Sequence, residues 1–409
     1  MRTFAKECSF NPLKRFLLNM KDLSYITEKF TESIIREMTR ICDAMGGYNL
    51  SQGMPDFEAP EEIKKAAVEA INRNCNQYPV TFGEPHLREA ISHKVLKFSK
   101  INCDPKTDIT VTCGSTEAMI STLKAIINPG DEVIIFEPFY ENYGPDTILS
   151  GAKPRYITLY PPEWEYDLSE LKGAFNNNTK AIIINTPNNP TGKVFSKKEL
   201  GEIAELCFKW DCFAVTDEIY EHIVYDGKEH ISIASLDGMD IRTITINSIS
   251  KSYSVTGWRV GWAIAKKEIT DRIRKVHDFL TVGAPTPFQN AAVIALAMPD
   301  EYYEKLRSRY DKARNFLFKL LNEVGFKPYL PKGAYYIMAN IDELMGKFGT
   351  KDDFSFSKKL IALTKVATVP GSSFYASPHK GLNQVRFCFC KKEETLQNVE
   401  KNFKRILEI

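Results

Sequence analysis

An α/β fold is predicted, with a mostly parallel sheet covered by helices on both faces and a smaller α+β domain after it. Three observations carry this. Residues 132–136 (EVIIF), 180–185 (KAIIIN) and 212–216 (CFAVT) are short apolar runs, the pattern of parallel strands buried on both faces. Helical patterns lie between them, as in doubly wound domains. Beyond about residue 300 the pattern changes to one long helix and two short strands.

The elements follow in order. Residues 1–50 contain no strand with an evident neighbour and are expected to pack on the smaller domain or on a second subunit. Residues 51–300 are expected to form the large domain and residues 301–409 the small one. Residues 60–71 (PEEIKKAAVEAI) are an amphipathic helix that opens at proline. Residues 85–100 are a second helix. Residues 108–113 (DITVTC) are a strand, followed by a helix from Ser115 to about Ile127 and a turn at N-P-G-D, 128–131. Residues 243–247 (TITIN) are another strand. The last hundred residues hold a helix at 302–324, a strand at 334–338 (AYYIM), a helix near 354–363, a strand at 385–389 (VRFCF) and a closing helix from Glu393.

Composition excludes several classes. Of 409 residues, 43% are hydrophobic and 26% charged, the balance of a globular protein. A net charge of +2 without like-charge runs gives no footprint for nucleic acid or an anionic membrane. No run of 18 apolar residues predicts a membrane span. The N-terminus has Arg2, Lys6, Lys14 and Arg15 but no continuous apolar stretch, so no secretory signal is expected. Nine cysteines stand at 8, 42, 75, 103, 113, 207, 212, 388 and 390, with no CxxC pair. Cys388 and Cys390 alternate on one strand face and are expected to be buried small hydrophobes. A zinc site needs closer pairing with histidines, so no metal is expected. Free thiols point to a reducing, cytoplasmic setting.

The most informative stretch is S-I-S-K-S-Y-S-V-T-G-W-R at 248–259. It sets Lys251 just past a buried strand, with Ser248 before it and Arg259 eight residues on. Burial lowers the pKa of a lysine, and the neutral amine is the form that condenses with an aldehyde. A hydroxyl and a guanidinium fork are the groups that hold a phosphate. Lysine and phosphate site together suggest pyridoxal 5'-phosphate. The plainer alternative is an ordinary surface lysine.

Four further motifs fall at predicted strand ends, where α/β folds place ligands. In C-G-S-T-E (113–117), Gly114, Ser115 and Thr116 offer N–H groups and hydroxyls at a helix N-terminus, an anion cradle or a simple N-cap. In N-T-P-N-N-P-T-G (185–192), two prolines stiffen a loop; the Asn189–Pro190 bond is a candidate for cis, and Asn189 is placed to donate to a phenolic oxygen, or the loop is simply a rigid connector. In V-T-D-E-I-Y (215–220), Asp217 ends a strand where a carboxylate pairs with a buried cation or caps a helix. On pyridoxal phosphate that cation is the ring nitrogen, and Tyr220 lies within reach of the ring hydroxyl. In E-P-F-Y-E-N-Y (137–143), Tyr140 offers a flat ring to stack on a flat cofactor, or simply packs in the core.

Together these residues resemble a fold-type-I, pyridoxal-phosphate-dependent class I/II aminotransferase, in the subgroup of kynurenine and glutamine–phenylpyruvate aminotransferases and their bacterial relatives. The resemblance runs from about Asn49 to the C-terminus. It implies that Lys251 is the Schiff-base lysine, that Asp217 pairs with the pyridine nitrogen, and that Tyr220 and Asn189 hold the ring oxygen. Tyr140 would stack on the ring. Gly114, Ser115, Thr116, Ser248 and Arg259 would bind the phosphate. Tyr78, in N-Q-Y-P-V-T-F-G (76–83), matches the tyrosine that reaches the neighbouring subunit's phosphate, implying a homodimer with shared sites. Arg386 matches the clamp on the substrate carboxylate, and Gly53 the glycine whose backbone lies against it; on the residues alone, Arg386 is equally an edge-strand arginine.

The resemblance also implies an activity: ping-pong transfer of an amino group from an L-amino acid to a 2-oxo acid. Kynurenine aminotransferases line the pocket with an aromatic and a histidine from the partner, where this chain has Val282 and Gly283. An entry tryptophan is replaced near Ile34 or Ile35. An aspartate-specific branch carries lysine where Thr116 stands. A neutral or moderately apolar donor is therefore expected. Two rivals use the same cofactor: a β-lyase of the cysteine-conjugate type and an aminocyclopropane-carboxylate-synthase-like enzyme. A third, a regulator with an aminotransferase-like domain, requires a basic DNA-binding domain, and the roughly 50 residues before Gly53 are not strongly basic.

Overall fold

The computed structural model describes residues 21–408. The expected placement of residues 1–20, and Cys8, lie outside these. Residues 21–31 belong to a small unit of their own, with a 3₁₀ turn at Tyr25–Lys29. The other described residues, 32–408, belong to one unit.

That unit starts with the helix Ile34–Ala44, capped by the Ser33 hydroxyl, and a two-residue strand, β1 (Tyr48–Asn49). The large sheet follows: β2 (Ile109–Thr112), β3 (Glu132–Glu137), β4 (Lys153–Thr158), β5 (Thr179–Asn185), β6 (Phe213–Asp217), β7 (Thr243–Ser248) and β8 (Gly261–Ile264). Its order is β2-β8-β7-β6-β5-β3-β4. All pairings are parallel except the two made by β8. Both faces are covered, so the central strands β3, β5 and β6 are buried and mostly apolar. Val133, Ile135, Ala181, Ile183 and Val215 pack on one side, with Leu123 of the helix Ser115–Ile126. Ile134, Phe136, Ile182, Ile184 and Ala214 pack on the other, with Leu200 and Ile203 of the helix Lys197–Lys209. This alternation is the strand's period of two. Each fully buried Ile contributes about 1.5–3 kcal/mol relative to an exposed one.

A second, antiparallel sheet comes from β9 (Lys327–Pro328), β10 (Tyr336–Asn340), β12 (Val369–Pro370) and β13 (Gln384–Cys388), in the order β12-β13-β10-β9. β11 (Val366–Ala367) pairs in parallel with β1. The predicted helices at 60–71, 85–100, 302–324 and 354–363 appear as Glu61–Asn72, Pro85–Ser99, Asp300–Glu323 and Asp353–Thr364. Sequence reasoning missed β4, β8 and the two-residue strands. β4 alternates polar and apolar residues because it is an edge, and β8 is only four residues long.

The topology gathers the chemistry at one edge. β7, β6, β5 and β3 are parallel, so Ser248, Asp217, Asn185 and Glu137 all stand at C-terminal strand ends on the same side. β8 runs the other way, so its first residue, Gly261, is paired with Ser248 at that edge. Arg259, just before β8, therefore reaches the same place as the segment just after β7.

Candidate active site

One cavity at this edge is lined by Ser115, Thr116, Tyr140, Asn189, Asp217, Tyr220, Lys251 and Arg259, all named from sequence, and by Tyr143, Asn185, Ile219, Ser250, Thr256 and Tyr336. Lys251 sits in the turn after β7. Its Nζ donates to the carbonyl of Gly53 at 3.2 Å and lies 5.9 Å from the centre of the Tyr335 ring. Burial lowers its pKa from 10.5 to about 8; the positive charges of Arg259 and Arg386 push the same way, against Cys390 and Asp217. At pH 7 that leaves about a tenth of the amine neutral, roughly 300 times the fraction of an ordinary lysine.

Asp217 ends β6 and is buried. The Tyr143 hydroxyl donates to its Oδ2 at 2.8 Å, and the Ile219 N–H approaches Oδ1 at 3.4 Å. Asn185 Nδ2 donates to its backbone carbonyl at 2.9 Å. Among the described residues no lysine or arginine forms an ion pair with it. Burial therefore raises the carboxyl from 3.8 to about 6, although Tyr143, Ile219 and the Lys251 charge pull it down. A buried acid without a cation in a ligand cavity fits a positively charged ring nitrogen.

The phosphate end has the opposite polarity. Gly114, at φ 83°, precedes the helix Ser115–Ile126. A Cβ there would lie 2.4 Å from Arg259 Nη2, so only glycine lets the guanidinium lie across the turn. Arg259 donates to the carbonyls of Thr256 (3.0 Å) and Cys113 (3.3 Å) and forms no ion pair among the described residues. A helix N-terminus and an uncompensated guanidinium facing one cavity call for an anion. Ser248 is buried, its Oγ accepting from the Ser250 N–H at 3.2 Å, and Ser250 rather than Ser248 lines the cavity.

The stiff loop after β5 performs a positioning task. Asn185 Oδ1 accepts from the Asn189 N–H at 2.7 Å, and Asn188 Oδ1 accepts from the N–H and hydroxyl of Thr191. The Asn189–Pro190 bond is cis, as expected from sequence. Asn189 Oδ1 then accepts from Arg386 Nη1 at 2.7 Å. Arg386 lies in the middle strand β13, buried, with Nη2 donating to the carbonyl of Ser51 at 2.5 Å. Its Nε has no hydrogen-bond partner. Among the described residues no carboxylate pairs with it, so a buried cation waits beside Gly53 and the cavity for an acidic ligand group.

Tyr78 is not brought to this cavity. It is 84% exposed on the loop after the helix Glu61–Asn72. That loop is tied to the cradle through a histidine that sequence reasoning passed over. His277 Nδ1 faces Glu117 Oε1 at 2.5 Å and Nε2 faces the Thr81 carbonyl at 2.6 Å. Both partners are acceptors, so the ring holds both protons. Burial opposes this, but the Glu117 hydrogen bond and charge outweigh it and raise the His277 pKa. Tyr143, Asn185 and Tyr336 were also missed as site residues. The first two lay inside motifs already singled out, but one strand of sequence does not say which aromatic or amide turns inward.

Eight cysteines are described, all free, with Cys388 and Cys390 buried. Among the described residues no helix is long and apolar enough to cross a membrane.

Comparison with known proteins agrees with this geometry. Residues 46–402 match the family model for aminotransferase class I and II. Human kynurenine–oxoglutarate transaminase 1 is 35% identical over 398 residues, spanning 90% of this chain and 94% of the relative. The solved structure of N-succinyldiaminopimelate aminotransferase from Mycobacterium tuberculosis superposes with a TM-score of 0.89 at 34% identity, covering 94% of this chain and 100% of that one. That of an aromatic aminotransferase from Pyrococcus horikoshii OT3 gives 0.83 at 37% identity, covering 91% and 98%. With an amine made partly neutral by burial, a lone buried acid and an anion cradle on one strand edge, this chain belongs to the class I and II aminotransferases, pyridoxal 5'-phosphate enzymes of fold type I that move an amino group between an amino acid and a 2-oxo acid.

Proposed function

We propose that the enzyme takes a neutral or moderately apolar L-amino acid as donor, with Lys251, Asp217, Tyr220, Asn189 and Arg386 in the roles their positions suggest. The observation that carries this is the charge inventory. The cations at the cavity are Lys251, Arg259 and, alongside, Arg386. Each has a task in this reading, and among the described residues of the chain none is left at the cavity for a second substrate carboxylate. Relatives of nearly equal identity are named for kynurenine, N-succinyldiaminopimelate and aromatic substrates, so their names alone do not select a donor.

Bound in this cavity, pyridoxal 5'-phosphate supplies an aldehyde that receives the amino group and a ring that draws off electrons. Ser115, Thr116 and Arg259 would hold its phosphate around the Gly114 turn, Ser248 would support them through its bond to Ser250, and Tyr140 would cover the ring. Asp217 keeps the ring nitrogen protonated. Arg386 clamps the donor carboxylate with its planar fork, against the backbone of Gly53. Lys251, whose amine burial makes partly neutral, would be the general base for the donor's Cα proton.

A homodimer with shared sites is part of the proposal. Tyr78, Val80, Phe279, Leu280 and Val282 are exposed apolar residues, Phe279 at 90%. Thr286 Oγ1 donates to the Gln77 carbonyl and Gly283 abuts Pro79, so the two segments form one patch. Such a patch marks an interaction surface. Sedimentation equilibrium of the holoenzyme should report a dimer; a monomer with full activity rejects shared sites. The free thiols support a cytoplasmic setting.

The donor is tested by half-reaction. Holoenzyme is mixed with single amino acids, without a 2-oxo acid, and visible absorbance is followed. Neutral and apolar donors should convert the cofactor to a stable pyridoxamine form. Ammonia and pyruvate appearing with the band unchanged would instead indicate β-elimination, which the transaminase relatives do not favour.

A further inference from the structure

We infer that Tyr336, on β10, is a positioning residue that aims the Tyr220 hydroxyl at the cofactor ring oxygen and holds the Arg386 guanidinium flat. The inference rests on the roles proposed for Tyr220 and Arg386. Tyr336 is 2% exposed and lines the cavity. Its hydroxyl lies 3.0 Å from that of Tyr220, with the ring planes at 86°. Among the described residues each hydroxyl has the other as its one hydrogen-bond partner. Two buried phenols sharing one bond leave one proton over. If Tyr336 donates, the spare proton belongs to Tyr220 and points into the cavity.

One contact favours that direction. The Arg386 guanidinium carbon lies 4.2 Å from the Tyr336 ring centre. A cation on a phenol's face draws electron density and makes its hydroxyl the better donor. A phenol that accepts a hydrogen bond in turn donates more strongly. The backbone leaves room for this arrangement at one glycine: a Cβ on Gly53 would fall 1.8 Å from Tyr336 Oη. Gly53 is thus required by Tyr336 as well as by a substrate carboxylate. The same carbonyl of Gly53 accepts from Lys251 and from Tyr335, so the glycine turn, both tyrosines and the lysine form one connected set.

Phenylalanine at 336 keeps the ring and deletes the hydroxyl; leucine deletes both. A donor to the cofactor's ring oxygen leaves less charge there to hold a proton. Weakening that donor therefore raises the pH at which the bound cofactor's visible absorbance changes. In Tyr336→Phe holoenzyme the midpoint should rise by about half a pH unit to one unit, the worth of one hydrogen bond. KM for the amino donor should stay within about twofold, because the ring still covers Arg386. In Tyr336→Leu the midpoint should rise similarly and KM by about tenfold. Tyr220→Phe serves as the reference. If it moves the midpoint and Tyr336→Phe does not, the inference is overturned while the role of Tyr220 stands. If neither moves it, both are overturned.

Discussion

Lys251→Ala should retain pyridoxal 5'-phosphate and lose turnover. The proposed phosphate anchors do not include Nζ: Ser115 and Thr116 stand at a helix N-terminus and Arg259 on the segment before β8, across the same cavity from Lys251. Equilibrium dialysis should therefore find bound cofactor. What disappears is the amine that burial holds partly neutral near pH 8. As general base alone it is worth about 10²–10⁴-fold in kcat. Its part in accepting and releasing the cofactor aldehyde adds to that, so multiple turnover should vanish. Near-normal turnover by the variant would sink the assignment of Lys251.

Asp217→Asn should separate activity from stability. With cofactor bound, the carboxylate would, in the proposed role, hold a charge on the ring nitrogen that an amide cannot hold. Preorganised electrostatic partners of this kind are worth about 10²–10³-fold in kcat. An unchanged rate would remove the role. Without cofactor the effect reverses. The folded carboxyl titrates at about 6 rather than 3.8, chiefly through burial. Between those values the folded chain keeps a proton that the unfolded chain has lost, so stability falls as pH rises through that window. The whole loss is about 3 kcal/mol. Asparagine does not titrate and keeps an oxygen for the Tyr143 hydroxyl. Cofactor-free Asp217→Asn should therefore melt above the parent at pH 8, with the gap closing near pH 4. A parent more stable than the variant at pH 8 would mean that Asp217 has a cationic partner in the cofactor-free protein.

Both predictions concern residues named from sequence, for a physical reason. Parallel strands buried on two faces are apolar from end to end, so a carboxylate or a lysine at or just past such a strand's end stands out, as Asp217 and Lys251 do. Arg386 was legible for a related reason, a charge inside the apolar run V-R-F-C-F of an antiparallel strand. The three apolar runs and the amphipathic helices around them were legible from their periodicity. The order of strands was not. Nothing in G-W-A-I at 261–264 announces that β8 runs antiparallel between β2 and β7, yet that reversal brings Arg259 to the cradle.

The same holds for residues whose chemistry depends on direction. The sequence contains eighteen tyrosines, and composition cannot tell that Tyr143 donates to Asp217 while Tyr336 meets Tyr220. His277 looks like one more polar residue on the helix Lys267–Leu280 until Glu117 and Thr81 are found on its two nitrogens. By itself, then, the sequence determined the fold class, the cofactor and the charged groups proposed to serve it, because burying charge is costly enough to leave a mark on local pattern. Only the tertiary structure decided which neutral hydroxyls and amides complete the site. Their cost of burial is settled by partners far away in the chain, and those partners exist only once the strands have taken their places.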